Sequence, residues 1–291
     1  MIVLEGHGQA VRCVAYSADS RRLASGSDDG TVRLWDLSGG GEPLEVLEHP
    51  AGVEALAFGP DGKALATGTA EGQLTLWDTV RDTSTERKRV HTGGVRCLAF
   101  EASGKRLVSG GWDKSVKWWV APGLAGPRGV ADAPAAVTAL ALSPDGKALA
   151  AGCYDGTIQL YDADRATLRS TWKGTAAVFT LDWSPDARLL AAGGADGDVT
   201  LWDAAAGKAR AALRGHTWTV YSVAFAPDGR TLLTGGADGT VRLWDVASAR
   251  ERTAFQWHTR WVTCVAFAPD GMTAAAGSED RTVVLWDVEA D

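Results

Sequence analysis

The chain of 291 residues carries 29 Lys and Arg against 36 Asp and Glu, a formal charge of -7, with 45% hydrophobic residues. Such a surface repels phosphate on average, and no Lys/Arg cluster recurs on one face, so no nucleic-acid partner is expected. Residues 1–7 show neither a basic leader nor a long apolar stretch, and no window approaches about 18 uninterrupted apolar residues, which argues against secretion and membrane insertion.

In chain order, strand-like runs end on Trp35, Trp77, Trp119, Tyr161, Trp202, Trp244 and Trp286, spaced 42 residues apart except for 41 between Tyr161 and Trp202. Five of the seven are Trp-Asp pairs; Tyr161 precedes Asp162 and Trp119 precedes Val120. This period divides the chain into units at approximately 1–36, 37–78, 79–120, 121–162, 163–203, 204–245 and 246–287, all within one domain. The sixth unit shows the internal punctuation. Val220–Phe225 alternates and is rich in β-formers, Pro227-Asp228-Gly229 makes a turn, residues 231–235 form a second strand, and Asp238-Gly239 turns into a third over 240–245. A fourth apolar segment precedes the next Gly-His, so every unit reads as a four-stranded antiparallel meander without helical periodicity.

Two local features read as connections. Arg87-Lys88-Arg89 is expected to be a solvated strand or turn. The glycines at 39, 40 and 41 join two strands with no helix after them to cradle phosphate.

Units of this length, with Gly-His near the start and Trp-Asp near the end, resemble the WD-repeat family over essentially the whole chain. The resemblance implies an all-β, seven-bladed β-propeller. Ile2-Val3-Leu4 stands before Gly6-His7 as Ala211-Ala212-Leu213 stands before Gly215-His216. Residues 1–5 are therefore expected to supply the outermost strand of the last blade and close the ring, removing an open edge.

All five histidines, His7, His49, His91, His216 and His258, lie 28 residues before a repeat-ending Trp. Six before each aromatic stand Asp29, Glu71, Asp113, Asp155, Asp196, Asp238 and Asp280; ten before stand Ser25, Thr67, Ser109 and Thr234, with Ala151, Ala192 and Ala276 in the other units. The family resemblance implies a hydrogen-bonded Trp, Ser/Thr, His and Asp network inside each blade, which suits the donor and acceptor inventory of these groups. Repeats 1, 2, 3 and 6 hold all four members, with Glu71 in place of Asp in repeat 2. Repeat 7 lacks the hydroxyl, and repeats 4 and 5 lack both His and hydroxyl, so blades 4 and 5 are expected to be softer. A Ser/His/Asp trio also suggests a hydrolase, but its recurrence at fixed spacing favours a structural clip.

Metal spacing is absent, and no Pro-Asp-Gly turn gathers the acids that a calcium cage needs, so neither metal nor cofactor is expected. Cys13, Cys97 and Cys264 share one repeat position and Cys153 occupies another, which reads as buried free thiols in a reducing, cytoplasmic compartment. Asp182 stands where six units have Ala, on the innermost strand. It is read as a locally satisfied structural acid and is also the one loose candidate for catalysis at the channel mouth.

By position, the resemblance places partner-binding residues on the rim formed by the innermost strands and the tight turns. Those positions hold Arg12, Arg96, Trp112, Tyr154, Phe179, Tyr221 and Trp261, with Trp218 in an adjoining loop. Trp118, Trp172, Trp183 and Trp257 are read as packing. Exposed aromatics are the residue types enriched at interface hot spots. The expectation is a non-catalytic scaffold or adaptor that binds a protein or peptide, or the recognition module of a larger assembly, with Arg12 and Arg96 orienting the partner. The alternatives are a small-molecule or glycan binder at the aromatic rim and a propeller hydrolase or lyase. Oligomeric state is not legible in the sequence.

Overall fold

The computed structural model describes every residue except 39, 40, 82, 122, 125 and 289–291, and omits the side chains of 85 and 86. Gly39 and Gly40 of the glycine-rich connection thus lie outside the described residues. The described chain forms 28 strands in seven four-stranded antiparallel sheets and no α-helix. Six blades run in chain order from innermost to outermost strand, as in Val11–Tyr16, Arg22–Ser27, Thr31–Asp36 and Pro43–Glu48. Each innermost strand packs against its neighbours on both sides, and Val262–Phe267 meets Val11–Tyr16 to complete the ring.

The burial pattern explains the order. Second strands such as Thr231–Gly236 are buried throughout, whereas the outermost strand Lys208–Leu213 is mostly exposed. Tight turns hold glycine where the backbone is left-handed, as at Gly239 with φ +77°. Between blades, a glycine near the end of each second strand leaves room for the first valine of the next blade. A Cβ on Gly68 would meet Val95 Cγ1 at 2.5 Å, so a larger residue there would push two blades apart.

Blade 7 takes its fourth strand from the N-terminus: Ile2, Val3 and Leu4 pair with Leu285, Val284 and Val283. Leu4 is only 3% exposed and packs in the wedge between blades 7 and 1 with Val11, Trp35 and Leu285. This strand is short. Trp286 and Asp287 have no paired residue on their outer side among the described residues, whereas Tyr161 and Asp162 pair with Leu168 and Thr167.

Innermost strands are also stapled across the blade seams. Val223 N–H donates to Thr180 Oγ1 at 3.0 Å, Val265 N–H to Ser222 Oγ at 2.9 Å, and Thr263 Oγ1 donates to the Val11 carbonyl at 2.6 Å. The four cysteines are free; Cys153 and Cys264 are buried, whereas Cys13 and Cys97 are half-buried.

Candidate functional site

Two sets of residues at one end of the ring require explanation, the buried clips and the rim above them. In blade 1, His7 Nδ1–H donates to Asp29 at 3.2 Å, Ser25 Oγ–H to His7 Nε2 at 2.7 Å, and Trp35 Nε1–H to Ser25 Oγ at 2.8 Å. Blade 3 repeats this with His91, Asp113, Ser109 and Trp119 over 2.8–2.9 Å. Blade 6 repeats it with His216, Asp238, Thr234 and Trp244 over 2.7–3.0 Å. Burial alone would raise the Asp113 carboxyl, but hydrogen bonds from Ser115 and His91 outweigh it and hold the group well below the usual carboxylate range. The clip hydroxyls are sealed from solvent, so a substrate has no path to them despite the connectivity of a catalytic triad.

Blade 2 differs from the sequence reading. His49 Nε2 meets Thr67 Oγ1 at 2.7 Å and Trp77 Nε1–H donates to Thr67 at 3.1 Å, but His49 Nδ1–H turns to the Leu47 carbonyl at 3.2 Å. Glu71 is exposed and stays outside the clip. The cause is local. In the other clips the Asp also accepts the N–H and hydroxyl of a Ser or Thr two residues on, as Asp29 does from Thr31; that position is Gln73 in blade 2, and its N–H donates to Thr69 instead. Burial, only partly opposed by the Leu47 carbonyl, holds the His49 imidazole neutral, with its pKa down at about 4.

The incomplete repeats are not equivalent. In blade 7, His258 Nδ1–H donates to Asp280 at 2.9 Å, but His258 Nε2 has no partner opposite Ala276. In blade 4, Tyr161 donates to Gln159 Oε1 at 2.7 Å, a local substitute for the missing hydroxyl. In blade 5, Trp202 Nε1 has no partner, and a void of about 20 Å³ opens beside Gly174 and Ala192.

Above the clips, five side chains from five consecutive blades form one run of ring contacts, tilted for Trp112 and Tyr154, T-shaped on either side of Phe179, and stacked for Tyr221 and Trp261. Ring centroids are 5.9 Å apart for Trp112 and Tyr154, 5.9 Å for Tyr154 and Phe179, 5.5 Å for Phe179 and Tyr221, and 5.7 Å for Tyr221 and Trp261. Trp112, Tyr154 and Trp261 are 43%, 52% and 45% exposed, and Trp218 stands apart in its loop at 67%. Phe179 and Tyr221 are half-buried in the middle of the chain. Sequence spacing could number these positions but not show that their rings touch.

The two arginines are less free than the sequence suggested. Arg12 Nη2 donates to Asp28 at 2.6 Å and Nη1 to Glu279 at 3.2 Å, while Arg96 pairs with Glu54 at 3.1 Å and lies 5.6 Å from the Trp112 ring centroid. Charged blades 1 and 2 therefore close the gap that the ring chain leaves open. Beneath both runs the central channel, about 200 Å³ in volume.

Asp182 lies in the seam between blades 5 and 6, accepting Trp183 N–H at 2.9 Å and Phe225 N–H at 2.7 Å. Burial pushes its carboxyl up to about 7, against the pull of those two N–H groups. The folded chain thus holds this proton more tightly than the unfolded chain, whose carboxyl titrates near about 4. Between about pH 4 and 7 the folded state binds more protons, and the contribution of Asp182 to stability falls as pH rises. Asp182→Ala, the residue of the other six blades, loses two hydrogen bonds but also this slope. Its deficit relative to wild type is expected to shrink by about 2–4 kcal/mol between pH 4.5 and pH 8 in urea titrations; a constant deficit would refute the assignment.

Seven four-stranded blades, of which blades 1, 3 and 6 hold complete Trp–Ser/Thr–His–Asp clips, and a closing N-terminal strand define a β-propeller of WD repeats. The WD40 family model (WD domain, G-beta repeat) matches residues 1–36, 41–78, 84–120, 129–162, 166–203, 207–245 and 250–287, and the chain belongs to this family. Single-repeat stretches are similar to several curated proteins. The vegetative incompatibility protein HET-E-1 of Podospora anserina is 60% identical over 37 residues, 13% of this chain and 3% of that protein. The Notchless protein homolog of Arabidopsis thaliana is 62% identical over 34 residues, 12% of this chain and 7% of that protein. Striatin-4 of Mus musculus is 64% identical over 39 residues, 13% of this chain and 5% of that protein. The matched stretches thus span less than a tenth of these relatives' lengths.

Proposed function

We propose that this propeller is a non-catalytic scaffold that holds a protein or peptide partner on the rim carrying the five-ring chain. The observation that carries the reading is the continuity of those rings. Trp112, Tyr154 and Trp261 leave about half of their surface in water, where it contributes nothing to the core, yet burying it in a partner recovers its hydrophobic free energy. Membership of the WD40 family supports a role in protein interactions, but the fold alone hosts unlike functions, so the surface must decide. A small-molecule or glycan site has a narrower basis: the open cavity of about 640 Å³ beside Arg260, Trp261 and Glu279 is within the roughly 300–1,000 Å³ of ordinary ligand pockets, but it takes in only one of the five rings. The four free thiols support the expected cytoplasmic setting.

The test is affinity capture from host lysate with wild type and with the Trp112→Ala, Tyr154→Ala, Trp261→Ala triple variant, whose melting curve must match that of wild type. Captured partners are expected to weaken by about 2 kcal/mol or more per anchoring ring. Partners retained undiminished by the folded variant would move the site off this rim.

A further inference from the structure

At the end of the ring opposite the aromatic rim, an arginine staples each of two blade seams. Arg22 opens the second strand of blade 1 and reaches into blade 2, where Nη2 donates to the Gly62 carbonyl at 2.6 Å and Nη1 to the Thr79 carbonyl at 3.3 Å. Its guanidinium carbon lies 5.9 Å from the Phe58 ring centroid. Arg106 opens the second strand of blade 3 and reaches into blade 4, where Nη1 donates to the Ala163 carbonyl at 3.3 Å; it also pairs with Glu101 and Asp164. In blade 2 the same position is Ala64.

The seam between blades 2 and 3 keeps the rest of the arrangement. Phe100, Gly104 and Ala121 stand one repeat after Phe58, Gly62 and Thr79. With Ala64 they line an open groove of about 550 Å³, to which Pro60 and Trp77 add apolar surface. Other blades without the arginine close the seam differently. Trp183 Nε1–H donates from blade 5 to the Ala141 carbonyl of blade 4 at 3.1 Å, Leu189 is buried with Phe225 between blades 5 and 6, and Thr231 of blade 6 is itself buried. Between blades 7 and 1, Thr273 Oγ1 donates to the Tyr16 hydroxyl at 3.5 Å, and the open space nearby adjoins Met1, Ile2 and Trp286, where the closing strand is short.

The groove is also lined by Lys63, Arg81 and Lys105, with Asp61 and Asp78. The lysines do not bar a guanidinium, because bases hold the same positions around both existing staples: Arg21 and Lys63 about Arg22, Lys105 and Lys147 about Arg106. Arg81 lies 3.9 Å from Asp78.

We propose that the groove between blades 2 and 3 seats one arginine side chain presented by a partner chain, completing there the staple that Arg22 and Arg106 make within this chain. The guanidinium donates to the carbonyls of Gly104 and Ala121 and lies against Phe100, while its stem covers Pro60 and Trp77. A planar fork of several N–H donors serves two carbonyls and a ring together, whereas an ammonium is a compact point charge. Cations gain from an aromatic face, and a long stem covers apolar surface. The site lies at the opposite end of the ring from the aromatic run and does not depend on the rim reading.

Backbone NMR titration tests it, using a capped seven-residue peptide with one central Arg among Gly and Ser, and the same peptide with Lys or citrulline in place of Arg. The Arg peptide is expected to shift the amide signals of Ala64, Gly104 and Ala121, with a Kd at least about threefold lower than either of the others. Ala64→Arg, which supplies the side chain from within, should abolish those shifts and raise the thermal midpoint by about 2–4 °C. Arg22→Ala should open a second site, adding shifts at Gly62 and Thr79. Equal binding of the three peptides would overturn the inference, as would shifts confined to other residues, no shifts at all, or an Ala64→Arg chain that still binds the Arg peptide in this groove. Free L-arginine binding more tightly than the capped peptide would also overturn it, by marking the groove as a small-molecule site.

Discussion

Removal of residues 1–5 is expected to lower the thermal midpoint by about 10 °C and to make the protein aggregate in a concentration-dependent way. The segment looks like a tail, but Leu4 lies in the wedge between blades 7 and 1, and Ile2–Leu4 is the outer strand of blade 7. Burying a leucine contributes about 2 kcal/mol, and each ladder hydrogen bond about 1 kcal/mol net, so the loss is about 3–5 kcal/mol. In a domain of this size each kcal/mol moves the midpoint by about 2–4 °C. The deletion also bares the third strand Val283–Asp287 along its whole length, when Trp286 and Asp287 already lack an outer neighbour. An unprotected apolar edge recruits further strands. Leu4→Ala separates the two effects: it should reproduce about half of the midpoint loss with little of the aggregation. A deletion that melts like wild type would mean that the ring does not depend on this closure.

What could be read from the sequence was whatever recurs at fixed spacing along the chain. Strand order, turn positions and ring closure follow from residues only a few positions apart, such as Pro227-Asp228-Gly229 or the run before each Gly-His, and the register in the structure departs from the sequence boundaries by about one residue. Contacts across blade seams were not legible. Asp182 meets Phe225, Arg12 meets Glu279 and Tyr221 stacks on Trp261 through positions about a repeat or more apart in the chain, and nothing in the periodicity says that one such side chain reaches another. Glu71 shows the converse limit. It occupies the right position, but the clip depends on the Asx-type turn that a short Asp makes with a Ser or Thr two residues on, and Gln73 cannot take part. Gln159 shows a third: a blade can satisfy its aromatic with a residue from outside the repeating set.

Ser109→Ala should destabilise the propeller by about 2–4 kcal/mol, because one oxygen serves two partners: it donates to His91 Nε2 and accepts from Trp119 Nε1. Both would remain buried without replacement, and a site sealed from solvent offers no water to take over. If the hydroxyl mattered only for its volume, the cost would stay within about 1 kcal/mol. The equivalent position in two other blades makes the argument testable by sign. Ala276→Ser supplies a donor to His258 Nε2, which has no partner, and should stabilise by about 1 kcal/mol. Ala151→Ser puts the same hydroxyl where no histidine stands and where Tyr161 already donates to Gln159, and should cost about 1 kcal/mol. All three positions are fully buried in second strands, so burying a hydroxyl there has the same intrinsic penalty. Only the waiting partners differ, and urea titrations that gave one sign for Ala276→Ser and Ala151→Ser would show that burial, not the clip, governs these positions.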